Sequence, residues 1–265
     1  MSQSSQVVKI TAKAALKDKW LRAIVVSSIF LFTVLVCYNI SSVFSIVAGD
    51  IAANVLLAVM LLLLICPIAL GTIRYFWRIL FGADDNPVSV FYYFSEKKVY
   101  RRAMWLILSL ALRMVLFGLL LNIPRFIVEA MSHSFLYELI GMAIPVWTAN
   151  LTNVTVFLKV LAAVILFFVM LKYYMAPVLF VADDNMDSGE AMHMSATISK
   201  KTAIDFIYLG LSFIGWIILS LFIIPLIFTI PYVIISYLIH IRFAVAEYNK
   251  HIESTTQKSY PSFTV

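Results

Sequence analysis

Long apolar segments separated by short polar connections make up most of the chain, and the longest lies near the carboxyl end. From residue 207 to residue 241 no side chain carries a full charge, and only His240 titrates near neutral pH. A membrane-spanning helix needs about 20 apolar residues, so this segment is nearly long enough for two. Pro225 and Pro231 lie in its middle, and proline disfavours a continuous helix. The pattern therefore predicts a helical hairpin with a tight bend at residues 224–231.

Four further apolar segments precede this hairpin, and each is long enough for one membrane-spanning helix. They cover residues 23–47, 51–73, 103–123 and 156–182. The predicted fold is therefore all-α, a polytopic membrane protein with about six transmembrane helices in three hairpins. Amphipathic helices are expected in the cytoplasmic segments. In the first of them, lysines recur every four residues and so share one helical face; they are Lys9, Lys13 and Lys17.

Positive charges distinguish the two sides of the membrane. Nearly all Lys and Arg residues lie in the amino-terminal segment, in the connections at residues 74–102 and 183–205, and in the carboxyl-terminal tail. Because Lys and Arg accumulate on the cytoplasmic side, both termini are predicted to be cytoplasmic. This divides the chain into a basic amphipathic segment (1–22), a six-span membrane domain (23–248) and a flexible cytoplasmic tail (249–265).

The composition supports a membrane protein. Of the 265 residues, 63% are hydrophobic and 13% are charged, with a mean hydropathy of +0.97. Soluble domains have about half apolar and a quarter charged residues, so neither a soluble domain nor a disordered chain is expected. The net charge of +6 does not predict nucleic-acid binding, because the basic residues flank apolar segments. Cys37 and Cys66 lie within apolar segments, which is typical of buried thiols.

One short motif occurs twice. Residues 79–86 are Ile-Leu-Phe-Gly-Ala-Asp-Asp-Asn, and residues 178–185 are Val-Leu-Phe-Val-Ala-Asp-Asp-Asn. Each copy follows an apolar segment and precedes a predicted capped helix, a lysine pair and another apolar segment, which indicates an internal repeat. Asn86 precedes a proline and Asp187 precedes Glu190 by three residues, so both are predicted helix N-caps. The paired aspartates lack the ligand spacing of a calcium loop, so capping is the favoured interpretation.

A polar intramembrane site is the most specific candidate for binding. Arg113 lies near the middle of its apolar segment, where a charge costs about 2.5–3.5 kcal/mol, so its side chain is expected to face the bundle interior. It would either bind an anionic group such as a lipid phosphate or bond to the protein itself, and the second role is favoured. Lys172 and Tyr173 could join this site, although a lysine near a helix end more often extends to the membrane surface.

No pattern in the sequence indicates catalysis. The chain contains neither G-x-S-x-G nor the phosphate-binding G-x-x-x-x-G-K-[ST], and its four histidines lack H-E-x-x-H spacing and a cysteine partner. We therefore predict no catalytic residue, no metal site and no cofactor, and we expect a protein that is not an enzyme.

The carboxyl half resembles a known family. The similarity rests on Leu-Phe-Val-Ala-Asp-Asp-Asn at 179–185, Leu-Ser-Phe-Ile-Gly-Trp at 211–216, Pro-Tyr at 231–232, and on Ala191, Ser195 and the Lys200–Lys201 pair. These elements resemble a bacterial integral membrane family catalogued as domain of unknown function 975. Its signature positions here are Ser212, Phe213, Gly215, Trp216, Pro231 and Tyr232. The resemblance is strongest over about residues 172–248.

This resemblance implies a location but not a reaction. It implies the cytoplasmic membrane of a bacterium, and the family looks related to the membrane domain of some glycerophosphodiester phosphodiesterases. The favoured function is a non-enzymatic lipid-binding or accessory envelope component, with membrane lipids and a second membrane protein as candidate partners. The alternative is a small-molecule transporter or exporter, although no Asp or Glu lies well inside a predicted span, as ion-driven carriers usually require. A lipid-modifying enzyme is a third, weaker alternative.

Overall fold

The computed structural model describes residues 5–82, 86–132, 151–221 and 223–259, and nearly all of them are helical. The α-helices are α1 (Ser5–Leu16), α2 (Trp20–Ala48), α3 (Asp50–Met60), α4 (Cys66–Leu80), α5 (Lys97–Ser132), α6 (Leu151–Met170), α7 (Ala176–Ala182), α8 (Ser188–Leu211), α9 (Ile214–Leu219) and α10 (Ile223–Ser259). A π-helical turn at Leu61–Ile65 joins α3 to α4, and 3₁₀ helices cover Pro87–Phe94 and Leu171–Tyr173.

Five helical segments in the described part of the chain are long and apolar enough to cross a membrane. They are Trp20–Ala48, Asp50–Leu80, Lys97–Met131, Asn153–Ala182 and Pro225–Lys250. The all-α, polytopic membrane architecture predicted from the sequence is therefore confirmed. The fifth of these segments belongs to α10, which continues past Tyr248 to Ser259 and so includes part of the predicted tail as helix.

The chain forms two compact units. The first combines residues 1–107 with residues 173–265. Its interior contains large side chains from nearly every element, which are less than 2% exposed: Leu16, Ile68, Tyr75, Phe76, Tyr93, Leu106, Met175, Phe180, Ile235, Leu238, Ile239 and Ile241. Because these residues come from both ends of the sequence, the amino-terminal helix and α10 belong to one core.

The second unit covers Leu108–Lys172 and is built from most of α5 and from α6. A small residue lies where the two helices meet, since a Cβ placed on Gly118 would be 3.9 Å from Leu166 Cδ2. Asn122 donates from its side-chain amide to the carbonyl of Gly118, one turn earlier. This bond satisfies a polar side chain within an apolar helix, as buried amides require.

The predicted bend at residues 224–231 is wrong. Pro231 is buried inside α10, a continuous helix from Ile223 onwards. The chain is instead interrupted earlier, at Ser212–Phe213 and again at Ser220–Leu221, on either side of the six-residue helix α9. The predicted fifth span is therefore not one continuous helix in the described residues.

A serine lies at each interruption. Ser212 Oγ donates to the carbonyl of Leu209 at 2.6 Å, and Ser220 Oγ donates to that of Trp216 at 2.7 Å. Such bonds to the preceding turn also occur inside continuous helices, as at Thr229 and Ser236, and the carbonyl of Trp216 accepts from the backbone N–H of Ser220 as well. A proline within a membrane helix removes only one donor, and Pro231 is tolerated there for that reason.

Both predicted N-caps are confirmed. Asn86 accepts a hydrogen bond from the backbone N–H of Val88 at the start of the 3₁₀ helix, and proline follows it at the first helical position. Asp187 accepts from the N–H of Gly189, while Glu190 accepts from the N–H of Asp187, which completes a capping box before α8. The elements that follow the two motif copies nevertheless differ, a short 3₁₀ helix in one and a 24-residue α-helix in the other.

Replacement of Asp187 by alanine should lower the free energy of unfolding by about 1 kcal/mol, because α8 loses its side-chain cap. Thermal unfolding in detergent measures this change. Asp187→Asn is the matched control, since an amide oxygen caps nearly as well and should preserve most of the stability. Equal losses in both variants would show that the carboxylate charge matters here and the cap does not.

The second Ala-Asp-Asp-Asn segment is held by two arginines. Arg74 of α4 donates from both terminal nitrogens to the carboxylate of Asp184, at 2.6 and 3.1 Å, and lies 3.8 Å from the ring centroid of Tyr92. Arg102 of α5 donates to the backbone carbonyls of Asp183 and Met186. Asp184 is therefore an ion-pair partner and not a cap, because the cap of the next helix is Asp187.

This ion pair changes the acidity of Asp184. The hydrogen bond from Arg74 and its positive charge hold the pKa of the Asp184 carboxyl below its ordinary value of 3.8. In the first copy of the motif, Asp84 and Asp85 lie outside the described residues.

Candidate functional site

The amino-terminal helix α1 packs its apolar face into the first unit. Val8, Ala12 and Leu16 recur every four residues and are almost completely buried. On an α-helix this spacing produces one continuous stripe. The stripe fixes the rotation of α1, and with it the positions of Lys9 and Lys13.

Lys9 connects α1 to the end of α8. Its Nζ donates to the backbone carbonyl of Ser212 at 2.5 Å and lies 4.4 Å from the ring centroid of Phe213. Ser212 is the C-cap of α8, where the helix dipole favours a positive charge. Burial, together with the neighbouring charge of Lys13, lowers the pKa of the Lys9 ammonium from its usual value. Lys9 therefore holds the two helices together at the interruption after α8.

An aromatic cluster lies beside this contact. Tyr232, which is 3% exposed, meets the ring of Phe213 at 5.3 Å and the ring of Trp216 at 5.6 Å, both nearly edge to face. This geometry is the favourable one for aromatic pairs. Lys13 Nζ lies 6.0 Å from the Tyr232 ring centroid, at the outer limit of a cation–π contact.

A cavity of about 530 Å³ opens next to the cluster. It is lined by Lys13, Trp20, Trp216, Pro225, Phe228 and Tyr232. The rings of Trp20 and Phe228 are 6.1 Å apart and connect the start of α2 to α10. Apart from Lys13, the lining residues that the structure describes are aromatic or proline, and the volume lies in the range of small-molecule pockets. We call these lining residues, together with the adjacent Lys9, Ser212 and Phe213, the lysine–aromatic site.

Four of the six signature positions found in the sequence belong to this site. Ser212 and Phe213 contact Lys9, while Trp216 and Tyr232 line the cavity. Pro231 is buried beside Tyr232 in α10, and Gly215 of α9 has open space where a Cβ would lie.

A family model described as "Protein of unknown function (DUF975)" matches residues 1–245. The chain belongs to this family. No curated protein and no solved structure matches the chain. The relation to glycerophosphodiester phosphodiesterase membrane domains therefore stays a prediction. The DUF975 match covers every residue of the lysine–aromatic site.

The three residues predicted to form an intramembrane site in this DUF975 protein do not all belong to one unit. Arg113 lies half-buried in α5, and Lys172 is exposed in the 3₁₀ helix Leu171–Tyr173; both belong to the second unit. Tyr173 is half-buried and belongs to the first unit. The hypothesis that the three form one binding site stays a prediction.

Sequence reasoning missed a second cavity, between α8 and α10. It measures about 440 Å³, and we call it the charged cleft. Its lining is Thr197, Ile198, Lys200, Lys201, Thr202 and Asp205 from α8 with Ala244, Glu247 and Tyr248 from α10. The i, i+4, i+8 spacing of Thr197, Lys201 and Asp205 was a usable signal for a polar helix face.

A part-buried hydrogen-bond network shares Thr202 with this cleft. The Tyr174 hydroxyl is 3.2 Å from Thr202 Oγ1 and 3.0 Å from His240 Nε2. Tyr237 donates its hydroxyl to the backbone carbonyl of Tyr174. The rings of Tyr174 and Phe206 stack at 4.3 Å. Because buried polar groups are costly without partners, this network fixes α8 and α10 in register.

Proposed function

We propose that this protein is a non-enzymatic membrane protein that binds an anionic lipid at the lysine–aromatic site. The proposal is based on the cavity, where the lining residues that the structure describes combine aromatic walls with the ammonium group of Lys13. An acyl chain would occupy the space between Trp20, Trp216 and Phe228. The lipid headgroup would lie at the edge, next to Lys13.

The two lysines of the site would have different roles. Lys9 is already bonded to the carbonyl of Ser212 and half-buried, so its charge serves the packing of α1. Lys13 is exposed at the edge of the cavity, where an anionic headgroup can approach it without being fully desolvated. A lysine near an anionic membrane surface contributes about 1 kcal/mol to binding, which supports a headgroup contact at this position.

The aromatic residues suit a lipid boundary. Tryptophan and tyrosine have an apolar ring and a polar edge, and they are enriched where hydrocarbon meets headgroups. Trp20 lies at the first residue of α2, directly after the basic helix α1. We propose that Trp20 and the lysine–aromatic site lie at the cytoplasmic face of a bacterial inner membrane and that both termini are cytoplasmic. The distribution of Lys and Arg along the sequence supports this orientation.

Binding of dioctanoyl phosphatidylglycerol to the purified protein in detergent tests this proposal. The probe should raise the melting temperature of the wild type more than dioctanoyl phosphatidylcholine does, because only the first lipid has a net negative charge. Lys13→Gln should weaken phosphatidylglycerol binding about fivefold, as expected for the loss of about 1 kcal/mol. Trp216→Ala should weaken the binding of both lipids, because it removes a wall of the cavity.

Lys17→Gln is the matched control, since Lys17 is an exposed lysine of the same segment that does not line the cavity. It should leave the affinity for phosphatidylglycerol unchanged. Equal binding of both lipids by the wild type, or equal losses in Lys13→Gln and Lys17→Gln, would contradict a headgroup contact at Lys13.

A further inference from the structure

The charged cleft combines opposite charges on facing helices. Lys200 and Lys201 contribute two ammonium groups from α8, and Asp205 contributes a carboxylate one turn later. Glu247 contributes a second carboxylate from α10, and Tyr248 contributes a hydroxyl. The cleft shares no lining residue with the lysine–aromatic site.

The mixture of charges restricts which ligand fits. A purely anionic ligand would meet the carboxylates of Asp205 and Glu247, and a purely cationic ligand would meet the two lysines. Like charges placed opposite each other at an interface disfavour binding, so each of these ligands would lose part of its attraction. A ligand with one group of each sign can place its anion near the lysines and its ammonium near the carboxylates.

Buried apolar residues and hydrogen bonds hold part of the cleft lining in place. Its floor is apolar, with Ile198 and Ala244 each no more than 5% exposed. Thr202 belongs both to the lining and to the buried network with Tyr174 and His240. A wall whose side chains are already fixed by hydrogen bonds loses less conformational entropy when a ligand binds. The volume of about 440 Å³ is sufficient for a small polar molecule.

We propose that the charged cleft binds a small zwitterion that carries a primary ammonium and an anionic group. The ammonium donates to Asp205 and Glu247, while the anion accepts from Lys200 and Lys201 and from nearby threonine hydroxyls. Two sources supply this chemistry, the phosphoethanolamine headgroup of a membrane lipid and a free amino acid. The site is independent of the lipid site proposed above.

Calorimetric titration of the full-length protein in detergent tests the proposal with four probes. O-phosphoethanolamine and L-serine represent the two zwitterionic sources. Inorganic phosphate and ethylamine each have only one of the two charges. We expect at least one zwitterion to bind, and the tighter of the two identifies the source. Inorganic phosphate and ethylamine should bind at least about tenfold more weakly, because each lacks a charge-assisted contact.

Two conservative variants locate the binding. Lys201→Gln and Glu247→Gln are changes at exposed positions, and each should weaken binding of the zwitterion about tenfold. Lys97→Gln, an exposed lysine outside the cleft, is the control and should bind like the wild type. Circular dichroism and the melting temperature show that each variant is folded.

Three results would overturn the proposal. The first is that neither zwitterion binds the folded wild-type protein. The second is that inorganic phosphate binds as tightly as O-phosphoethanolamine and L-serine, which would indicate a simple anion site. The third is that Lys201→Gln and Glu247→Gln both retain wild-type affinity, which would place the binding elsewhere.

Discussion

Replacement of Gly71 by alanine is expected to destabilise the protein by about 3 kcal/mol or more. Gly71 lies in α4, where the helix contacts the backbone of the 3₁₀ helix Pro87–Phe94. A Cβ at this position would lie 1.8 Å from the carbonyl oxygen of Val90 and 2.7 Å from its carbonyl carbon. Because both atoms belong to the backbone, no side-chain rotation relieves the clash and the two elements must separate.

Separation of these elements would also affect their neighbours. Tyr75 and Phe76 of α4 and Tyr93 of the 3₁₀ helix are almost completely buried, so a displacement exposes large apolar surfaces. The melting temperature in detergent and the yield of folded protein measure the effect. Burial raises the pKa of the Tyr93 hydroxyl to about 12, so a return of this pKa towards its ordinary value would report the opening of the core.

Gly210→Ala is the matched control for Gly71→Ala. Gly210 also lies in a helix, but a Cβ there would have no atom within 4 Å. Alanine favours the helix by up to about 1 kcal/mol over glycine, so this variant should be as stable as the wild type or more so. Equal melting temperatures for Gly71→Ala and the wild type would show that α4 and the 3₁₀ helix do not approach this closely.

The second large effect is expected at Arg74. Arg74→Ala removes the two hydrogen bonds to Asp184 and the contact with the Tyr92 ring, and should cost about 2 kcal/mol of stability. Arg74→Lys keeps the charge but loses the planar fork, so its stability should lie between that of the wild type and Arg74→Ala. Arg101→Ala, an exposed arginine of α5, is the control and should cost little.

The pH dependence of this pair has a definite sign. Arg74 lowers the pKa of Asp184 in the folded state, so the pair contributes stability above pH 3.8, the ordinary pKa of the carboxyl. This contribution is lost as the pH falls through the lower, folded-state pKa. The stability difference between the wild type and Asp184→Asn should therefore decrease in acid. A difference that stays constant from neutral pH down to strong acid would contradict the ion pair.

The membrane segments could be predicted from the sequence because hydropathy and length determine them almost alone. The helix ends were predictable where a cap has a local pattern, as at Asp187 and Asn86. The bend in the last hairpin was not. The helix is interrupted at Ser212 and Ser220, and the carbonyl of Ser212 accepts from Lys9, which is distant in the sequence. Proline was the stronger local signal, and tertiary packing overrode it.

The candidate site could be predicted only in part. Phe213, Trp216 and Tyr232 were identified by resemblance to a family, but the resemblance did not show that α1 packs against them. Neither did it indicate the charged cleft, because Lys201 and Glu247 lie far apart in the sequence and meet only through the pairing of α8 with α10. The joint role of Arg113 and Lys172, the alternative of transport and the expected lack of enzymatic activity stay predictions.

Native mass spectrometry of the protein extracted from its membrane in mild detergent tests lipid binding at the lysine–aromatic site. The wild type should retain an anionic phospholipid through several detergent washes. The Lys13→Glu/Trp216→Ala double variant should lose this lipid while keeping its helical content, and Lys17→Glu should retain it. A wild-type protein that carries no lipid, or a double variant that retains the same lipid to the same extent, would contradict lipid binding at the lysine–aromatic site.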